Sequence, residues 1–474
     1  MMVPIFIFTG EQVDPAQNKY FSHPAVQFMC ESLVDLDHEL RKCNSQLHVF
    51  YTKHGNVVDQ LELINKHSSP GIRIRSITQN RDFSEYAKKR DAAIKEWCDA
   101  QSPQVAFNEC EDYDLVSSED LLLPISGSGS GSGSGPMGKP YTVLAAYYNR
   151  FMKESDIVVR KCTKKVATFS PNSESIYLKN VPNRIACDLD TFQKMFYTHN
   201  ENLAQRGGRK RALARLKQIN LDNYDKNRNY PALEDGTTRL SAHLKFGTIS
   251  VRELYWFVVN TIGKGSPFIR ELVFRSFYIK MCTSTHTRFK GMQRGVSFRQ
   301  DIDDKIPWVS ISRSTSTSTS ISTSRSKSNK SEKAKVLWDA WTQGRTGFPL
   351  VDAGMRQLNE TGWMHGRVRM VAAAVLTRYC LIDWREGALY FAQHLVDYDP
   401  ISNNMGWQFA AALGENSQNI YRAPMNPTLQ LKTYDPQGVY VARYLSKSDM
   451  EREPTVDQKA ASARAVALWK AAAA

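Results

Sequence analysis

The residues best suited to chemistry lie between Trp363 and Phe409, where indoles, charged groups and amides alternate with short apolar runs. On a helix, Trp363, Gly366, Arg367 and Met370 would share one face. An aromatic ring, a gap, a cation and a thioether are unusual in a plain core, and they suit a pocket for a flat, anionic ligand. The same stretch also fits a buried helical hairpin whose aspartates and asparagines cap its helices.

A second candidate is the turn at residues 236–241, which is rich in small hydroxyls and precedes a helical pattern. Hydroxyls and backbone amides at such a turn suit phosphate oxygens. Simple capping of the following helix explains the same residues.

The charge of the chain favours a polyanionic partner. The 474 residues carry a formal net charge of +14, and residues 206–217 place six cations on one short segment. Cations that neutralise phosphates release counterions, so nucleic acid is the expected partner. A merely basic protein without such a partner remains an alternative.

The cysteines and apolar runs indicate the compartment. The eight cysteines form no CxxC pair and have no zinc-ligand spacing, so we expect a reducing environment and no metal site. Since no apolar run has the length of a membrane span, we expect a soluble intracellular protein of the cytoplasm or nucleus.

The first 125 residues predict an α/β domain. Short apolar runs at 4–8, 46–51 and 72–77 read as strands, and 3.6-residue periodicity at 25–43 and 83–98 indicates helices. Alternation of this kind is typical of a parallel sheet.

Two low-complexity segments interrupt the chain. The Ser-Gly alternation within Ser126–Gly135 predicts a flexible connector, and the Ser/Thr-rich segment 310–331 predicts a disordered insertion. We therefore expect an interdomain connection at 126–200, an all-helical domain at 201–445 and a tail at 446–474. Within the helical domain, helices are predicted at 201–219, 250–262, 267–283, 333–342, 350–361, 364–380 and 386–395.

Four motifs resemble the photolyase/cryptochrome family, which repairs ultraviolet-damaged DNA or senses blue light. They are TTRLSAHLKFGTIS at 237–250, GMRQLNETGWMHGRVRM at 354–370, LIDWREG at 381–387 and DYDPISNNMGWQ at 397–408. The similarity is closest to class I cyclobutane pyrimidine dimer photolyases. It implies a Rossmann-like N-terminal domain and an all-α, FAD-binding C-terminal domain. The family has another strand before residues 4–8, so we expect the first strand to be missing, through truncation or supply by another chain.

The resemblance implies a set of FAD-binding residues. Asp397 and Asp399 would bond the flavin and its ribityl or adenosine portion, and Asn403 would face flavin N5. A neutral amide can donate or accept there without imposing a charge. The full set implied is Tyr224, Thr237, Thr238, Arg239, Leu240, Ser241, Arg275, Arg369, Asp397, Asp399 and Asn403.

The resemblance also implies an electron relay of tryptophans, Trp407, Trp384 and Trp308. On the substrate side, Glu271 and Met370 match the cyclobutane dimer class, whereas Phe274, Phe409 and Gly366 depart from its usual tryptophans and asparagine. Glu271 would bond the damaged base. Contacts to DNA are implied for Arg228, Arg367 and Gln430. An antenna chromophore of the folate or deazaflavin type would bind the N-terminal domain. Asn108 and Glu109 resemble a folate-contacting pair, although a solvated acidic loop explains them too.

The prediction is therefore a monomeric, light-driven enzyme that acts on damaged single- or double-stranded DNA. Reduced FAD would donate an electron to a flipped-out cyclobutane dimer. Three alternatives remain open at this point: a cryptochrome without repair activity, a (6-4) photolyase, and an inactive form whose helical domain only binds FAD or DNA.

Overall fold

The computed structural model of the protein describes residues 2–68, 73–117, 122–123, 139–153, 159–161, 178–283, 295–309, 311, 325–414 and 422–474. The strands in these ranges are β1 Ile5–Thr9, β2 His48–Thr52, β3 Ser76–Asn80, β4 Ala106–Cys110, β5 Leu122–Leu123, β6 Lys139–Pro140 and β7 Arg184–Ile185. The helices are α1 Gly10–Val13, α2 His23–Lys42, α3 Val57–His67, α4 Glu85–Ala100, α5 Leu144–Lys153, α6 Leu189–Phe196, α7 Arg209–Gln218, α8 Tyr224–Asn227, α9 Ser241–Phe246, α10 Val251–Thr261, α11 Pro267–Thr283, α12 Gln300–Asp303, α13 Arg325–Thr342, α14 Pro349–Thr361, α15 Gly366–Ala374, α16 Trp384–His394, α17 Pro400–Ala410, α18 Pro427–Tyr434, α19 Lys447–Met450 and α20 Gln458–Ala473.

The N-terminal unit is α/β, as predicted. β1 pairs with β2 in parallel, with Ile5 opposite His48, and β7 joins β2 in antiparallel orientation. β3 and β4 form a separate parallel pair. The parallel strands are confirmed, but they lie in two small sheets and not in one.

Local capping explains where the helices of this unit begin. The Ser22 hydroxyl accepts a hydrogen bond from the Ala25 amide at the start of α2. Asn56 and Asp59 form a reciprocal capping box at the start of α3, a helix that the apolar pattern did not predict. The third predicted strand is displaced: it was expected at 72–77 and lies at β3.

The C-terminal domain is a helical assembly, as predicted, and its helices pack around two large apolar clusters. Trp341, Tyr379, Trp384 and Phe391 are almost fully buried where α13 to α17 meet. The helix predicted at 364–380 is α15 followed by a single π-helical turn from Val375 to Tyr379.

Two segments that were predicted as a connection and a tail contain helices that pack on the rest of the protein. Segment 446–474 was expected to be a tail, yet its helix α20 packs into the core: Trp469 is fully buried and donates to the carbonyl of Ala411 at 2.9 Å. Segment 126–200 was expected to be a connection, yet α6 packs on α2 through Phe192 and Phe196. In both segments, alanines and charged residues obscure the helical periodicity of the apolar side chains.

The low-complexity segments fall largely outside the described residues. Ser126–Gly135, residue 310 and residues 312–324 lie there, whereas 325–331, expected to be disordered, belong to α13. No helix in the described part of the chain is long and apolar enough to cross a membrane.

The two units are joined by hydrogen bonds between distant parts of the chain. The Ser22 hydroxyl donates to the carbonyl of Leu395 at 3.1 Å, and the Gln393 amide donates to the carbonyl of Lys19 at 2.9 Å. The first turn of α2 is therefore fixed to the end of α16.

Candidate functional site

A cleft opens where α15, α16 and α17 converge, and we call it the central cleft. Its volume is about 480 Å³. It is lined by Arg369, Met370, Ala373, Phe391, Leu395, Asp397, Asp399, Ser402, Asn403, Gly406 and Trp407. The structure therefore brings together six residues that the sequence singled out: Arg369, Met370, Asp397, Asp399, Asn403 and Trp407.

Arg369 and Asp397 form an ion pair in the wall of the cleft. The Arg369 Nη2 lies 2.9 Å from Asp397 Oδ2 and 3.1 Å from Oδ1, and its Nε donates to the carbonyl of Met364 at 2.7 Å. Asp397 is buried, so its charge is balanced within the wall. A guanidinium held at both ends offers a fixed positive edge to a ligand.

Asn403, in α17, is oriented by a contact with the neighbouring helix α16. Its Nδ2 donates to the carbonyl of Ala388 at 2.9 Å, across the α16–α17 contact. With the nitrogen engaged, Oδ1 is the atom of this side chain that can accept a hydrogen bond. One turn along α17, a Cβ added at Gly406 would meet no atom within 4 Å, so the cleft has open space at this position.

Asp399 forms the end of the cleft nearest the N-terminal unit. It caps α17 by accepting from the Ser402 amide at 2.7 Å, and it also accepts a hydrogen bond from the Tyr113 hydroxyl. Burial raises the pKa of Asp399 to about 6. Lys245, whose pKa is lowered by burial, lies 4.0 Å from Asp399.

An acidic segment, residues 111–114, attaches the N-terminal unit to the helices behind Asp399. Asp112 pairs with Arg252, and Asp114 lies 3.2 Å from Lys280. Arg275 donates to the carbonyl of Tyr113 and lies over its ring, 4.2 Å from the centroid. Its Nη2 is buried with no hydrogen-bond partner among the described residues, and burial lowers its pKa to about 10.

The residues predicted to hold phosphates are not among those lining the central cleft. The carbonyls of Thr237 and Thr238 accept from Arg215, and Leu240 is fully buried. Ser241 accepts from Gln205 at 3.2 Å, and Arg239 lies over the Trp363 ring, 4.5 Å from its centroid. Tyr224 packs edge-on against Phe268, and burial raises its pKa.

The three predicted relay tryptophans lie in the helical domain: Trp384 begins α16, Trp407 lies in α17, and Trp308 follows α12 outside any helix. The Trp407 ring backs onto Gly387, where an added Cβ would lie 2.1 Å from Cη2 of the indole. Trp384 starts the same helix one turn earlier, and Trp308 contacts Trp469 edge-on with centroids 5.5 Å apart. Trp407 also faces Trp341, with centroids 6.1 Å apart.

Among the predicted substrate residues, Glu271 and Phe274 lie on α11, Gly366 begins α15 and Phe409 lies near the end of α17, and we call the surface that they contribute the predicted substrate mouth. Glu271 and Arg228 form an ion pair, and the ring of Phe274 packs on Tyr278. Phe409 is 39% exposed, and a Cβ at Gly366 would meet nothing within 4 Å. Open apolar surface therefore lies beside charged groups.

Arg367 and Gln430 lie beside this mouth. The Arg367 Nη2 donates to Asn229 Oδ1 at 2.7 Å, and its guanidinium is 4.7 Å from the centroid of Tyr434. The Gln430 Oε1 is buried and has no hydrogen-bond partner within the described residues.

The basic cluster at 206–217 is largely paired, which weakens its prediction as a DNA contact. Arg206 bonds Glu31 at 2.8 Å, Arg209 bonds Glu253 at 2.9 Å and Arg215 bonds Asp235 at 2.8 Å. These cations serve mainly to join α7 to its neighbours. A short sequence window cannot reveal partners that lie 20 or more residues away.

Comparison with known proteins decides the family. A family model described as the FAD binding domain of DNA photolyase matches residues 268–470, and one described as DNA photolyase matches residues 1–166. The deoxyribodipyrimidine photo-lyase of Alkalihalophilus pseudofirmus is 34% identical over 385 residues, which cover 78% of this chain and 68% of that protein. The chain belongs to the DNA photolyase family.

Other members of the DNA photolyase family agree. The deoxyribodipyrimidine photo-lyase of Synechococcus is 28% identical over 423 residues, covering 86% of this chain and 77% of its own. The photolyase of Sulfolobus tokodaii, whose crystal structure is described as holding two FAD molecules, has a TM-score of 0.74 at 27% identity and covers 99% of this chain and 93% of its own. A Synechocystis cryptochrome, at 20% identity, has a TM-score of 0.72 and covers 99% of this chain and 92% of its own, which shows the shared fold alone.

FAD is the cofactor of the DNA photolyase C-terminal domain, and the residues of the central cleft fit it. The open space at Gly406 leaves room for a ligand, while Asn403 Oδ1 and the Arg369–Asp397 pair supply polar groups in the wall of the cleft. The unpartnered Nη2 of Arg275 is a further donor near Asp399. The residues that were considered for an antenna chromophore do not lie where they were expected. Asn108 and Glu109 lie exposed in strand β4 and not in the expected loop.

Sequence reasoning missed Tyr113, Lys245 and Asp303. Tyr113 lies in a segment whose acidic composition suggested solvent, and no local pattern links it to Asp399, 286 positions away. Asp303 stands beside Asp304, and only the three-dimensional structure distinguishes the buried one from the exposed one.

Proposed function

We propose that this chain repairs cyclobutane pyrimidine dimers in DNA by light-driven electron transfer from reduced FAD. The observation that carries the proposal is the convergence of Arg369, Asp397, Asn403 and Trp407 on one cleft. When bound, FAD in its reduced form supplies the excited electron and takes it back after the dimer has split.

Asn403 and the ion pair of the wall orient the flavin. The Ala388 carbonyl fixes the amide nitrogen of Asn403, so its oxygen accepts from an N–H at the flavin edge. Arg369 is held by Met364 and Asp397, and it provides a positive edge that does not move during the reaction. Both groups favour a flavin that carries extra electron density.

The mouth of the domain receives the flipped-out dimer. Phe274 and Phe409 offer apolar faces on which extruded bases pack. Glu271 is held by Arg228 at the mouth, and its carboxylate accepts hydrogen bonds from the base edge. The half-buried guanidinium of Arg367 contacts phosphate and so places the strand.

The environment of His365 favours the cyclobutane dimer over the (6-4) product. Its Nδ1 accepts from the Arg367 amide at 3.2 Å, so the ring is a helix cap. Burial, with Arg369, Arg239 and Arg367 nearby, lowers its pKa to about 4. A histidine that stays neutral and engaged is poorly suited to donate a proton to a substrate.

The test is repair of an oligonucleotide with one thymine cyclobutane dimer, under blue light, by protein whose FAD absorbance is measured in the same sample. We expect intact thymines to return only in the light, and a (6-4) oligonucleotide to remain unrepaired. Asn403→Ala should retain FAD and lose most repair, whereas Asn404→Ala, at the next position of α17, is the matched control. Bound FAD without repair would contradict the proposal and favour a cryptochrome.

A further inference from the structure

One buried carboxylate joins two of the relay tryptophans. Asp303, at the end of α12, accepts from Trp308 Nε1 at 2.7 Å through Oδ1 and from Trp384 Nε1 at 3.4 Å through Oδ2. Its side chain is 1% exposed. The two indoles come from different segments of the chain, and Asp303 is the group that both contact.

Within the described ranges, the cation that lies over one of these two indoles is Arg385, beside Trp384. The Nη2 of Arg385 lies 2.5 Å from Asp303 Oδ2, and its guanidinium lies over the Trp384 ring at 4.7 Å from the centroid. Trp384 therefore shares the carboxylate with a guanidinium. Trp308 is bonded to the other carboxylate oxygen at the shorter distance.

We infer that Asp303 is a positioning residue that makes electron flow through the relay directional, an inference that rests on the proposed function. When a relay indole gives up an electron it becomes positively charged, and a buried carboxylate bonded to its N–H stabilises that charge. The guanidinium of Arg385 opposes the charge at Trp384. The positive charge is therefore more stable on Trp308 than on Trp384, and it moves away from the flavin.

The electrons balance over the whole path. One electron passes from Trp308 through Trp384 and Trp407 to the flavin, so Trp308 is oxidised by one electron and the flavin is reduced by one. The indole proton remains in the hydrogen bond to Asp303. An added thiol then returns one electron to Trp308. The tryptophan is restored in this way, and the flavin keeps the electron that it received.

The first test compares Asp303→Asn with Asp304→Asn, an exposed neighbour with the same change of atoms. Because the carboxylate charge is lost, we expect the yield of light-driven flavin reduction in Asp303→Asn to fall about tenfold or more. Asp304→Asn should stay within about twofold. Repair by Asp303→Asn that has been reduced chemically beforehand should match the wild type, because that reaction bypasses the relay.

A second readout does not need the flavin. In the NMR spectrum of the flavin-free protein, Asp303→Asn should shift the indole N–H signals of Trp308 and Trp384, and Asp303→Glu should restore them in part. Shifted indole signals with an unchanged yield of flavin reduction would overturn the inference.

Arg385→Gln provides an independent variant in case Asp303→Asn fails to fold. Without the guanidinium the positive charge should remain longer on Trp384, and the yield of flavin reduction should fall at least about threefold. An unchanged yield would also overturn the inference.

A failure of the tryptophan relay as a whole can be distinguished from a failure of the inference about Asp303. If the relay itself is wrong, Trp308→Phe and Trp384→Phe will photoreduce normally. If only the inference about Asp303 is wrong, both will be defective while Asp303→Asn is not.

Discussion

Asp399→Asn should make the flavin-free protein more stable, although it alters the proposed binding site. Asp399 is buried beside Tyr113, and its pKa is raised from 3.8 to about 6 by burial. At pH 7 the folded protein must keep this carboxylate ionised in an unfavourable site. A difference of 2.2 pKa units corresponds to about 3 kcal/mol, which is an upper limit for what the substitution can gain. Asparagine keeps the cap of α17, because its side-chain oxygen can still accept from the Ser402 amide.

The pH dependence has a definite sign. Because the pKa is higher in the folded state, the folded protein binds the proton more tightly between pH 3.8 and 6. The penalty is therefore absent below pH 3.8 and complete above pH 6. The advantage of Asp399→Asn should be largest at pH 7 to 8 and should shrink as the pH falls towards 4.

The assay is urea denaturation of the flavin-free protein at several pH values, followed by tryptophan fluorescence. Asp188→Asn is the control, since Asp188 caps α6 through the Thr191 amide and lies outside the central cleft. FAD retention should fall in Asp399→Asn and stay unchanged in the control. A variant that is less stable than the wild type at pH 7, or whose advantage does not depend on pH, would refute the reasoning.

Three further predictions concern packing and the mouth of the helical domain. Gly387→Ala places a Cβ 2.1 Å from the Trp407 ring and should lower the free energy of unfolding by about 1–3 kcal/mol, whereas Gly406→Ala, with open space, should not; thermal denaturation of both would check this. Trp469→Ala removes a fully buried indole and should lower the same free energy by about 3–5 kcal/mol in chemical denaturation, and a loss below about 1 kcal/mol would show that α20 is peripheral. Arg367→Gln should weaken DNA binding equally for different DNA sequences, because the contact is to phosphate. In a titration at several ionic strengths, the slope of the logarithm of the binding constant against the logarithm of the salt concentration should fall by about one.

The sequence predicted the helical domain well where its motifs are long. α11 and α14 begin and end within a residue of their predicted limits, because apolar periodicity and a closing glycine at 362 define them locally. Residues of the central cleft were predicted through family resemblance, and α15 to α17 bring six of them together.

Prediction failed where the determining contact is distant. The burial of α20 depends on Trp469 meeting Ala411, and an alanine-rich segment gives no sign of this. The pairing of the basic cluster depends on acids in α2 and α10, such as Glu31 and Glu253. Tyr113 reaches Asp399 only because the acidic segment around it binds cations of the helical domain.

The bonds that join α2 to α16 have a consequence for the order of folding. Ser22 and Leu395 are 373 positions apart, and Lys19 and Gln393 are 374 apart. Contacts of such separation carry a large loop-closure entropy and form late, after each unit has built its own core. The contact between Tyr113 and Asp399 belongs to the same class, since it also joins the two units. We therefore expect the docking of the two units to be a late step of folding, and Asp399, at the end of the central cleft, to gain its contact with Tyr113 in that step.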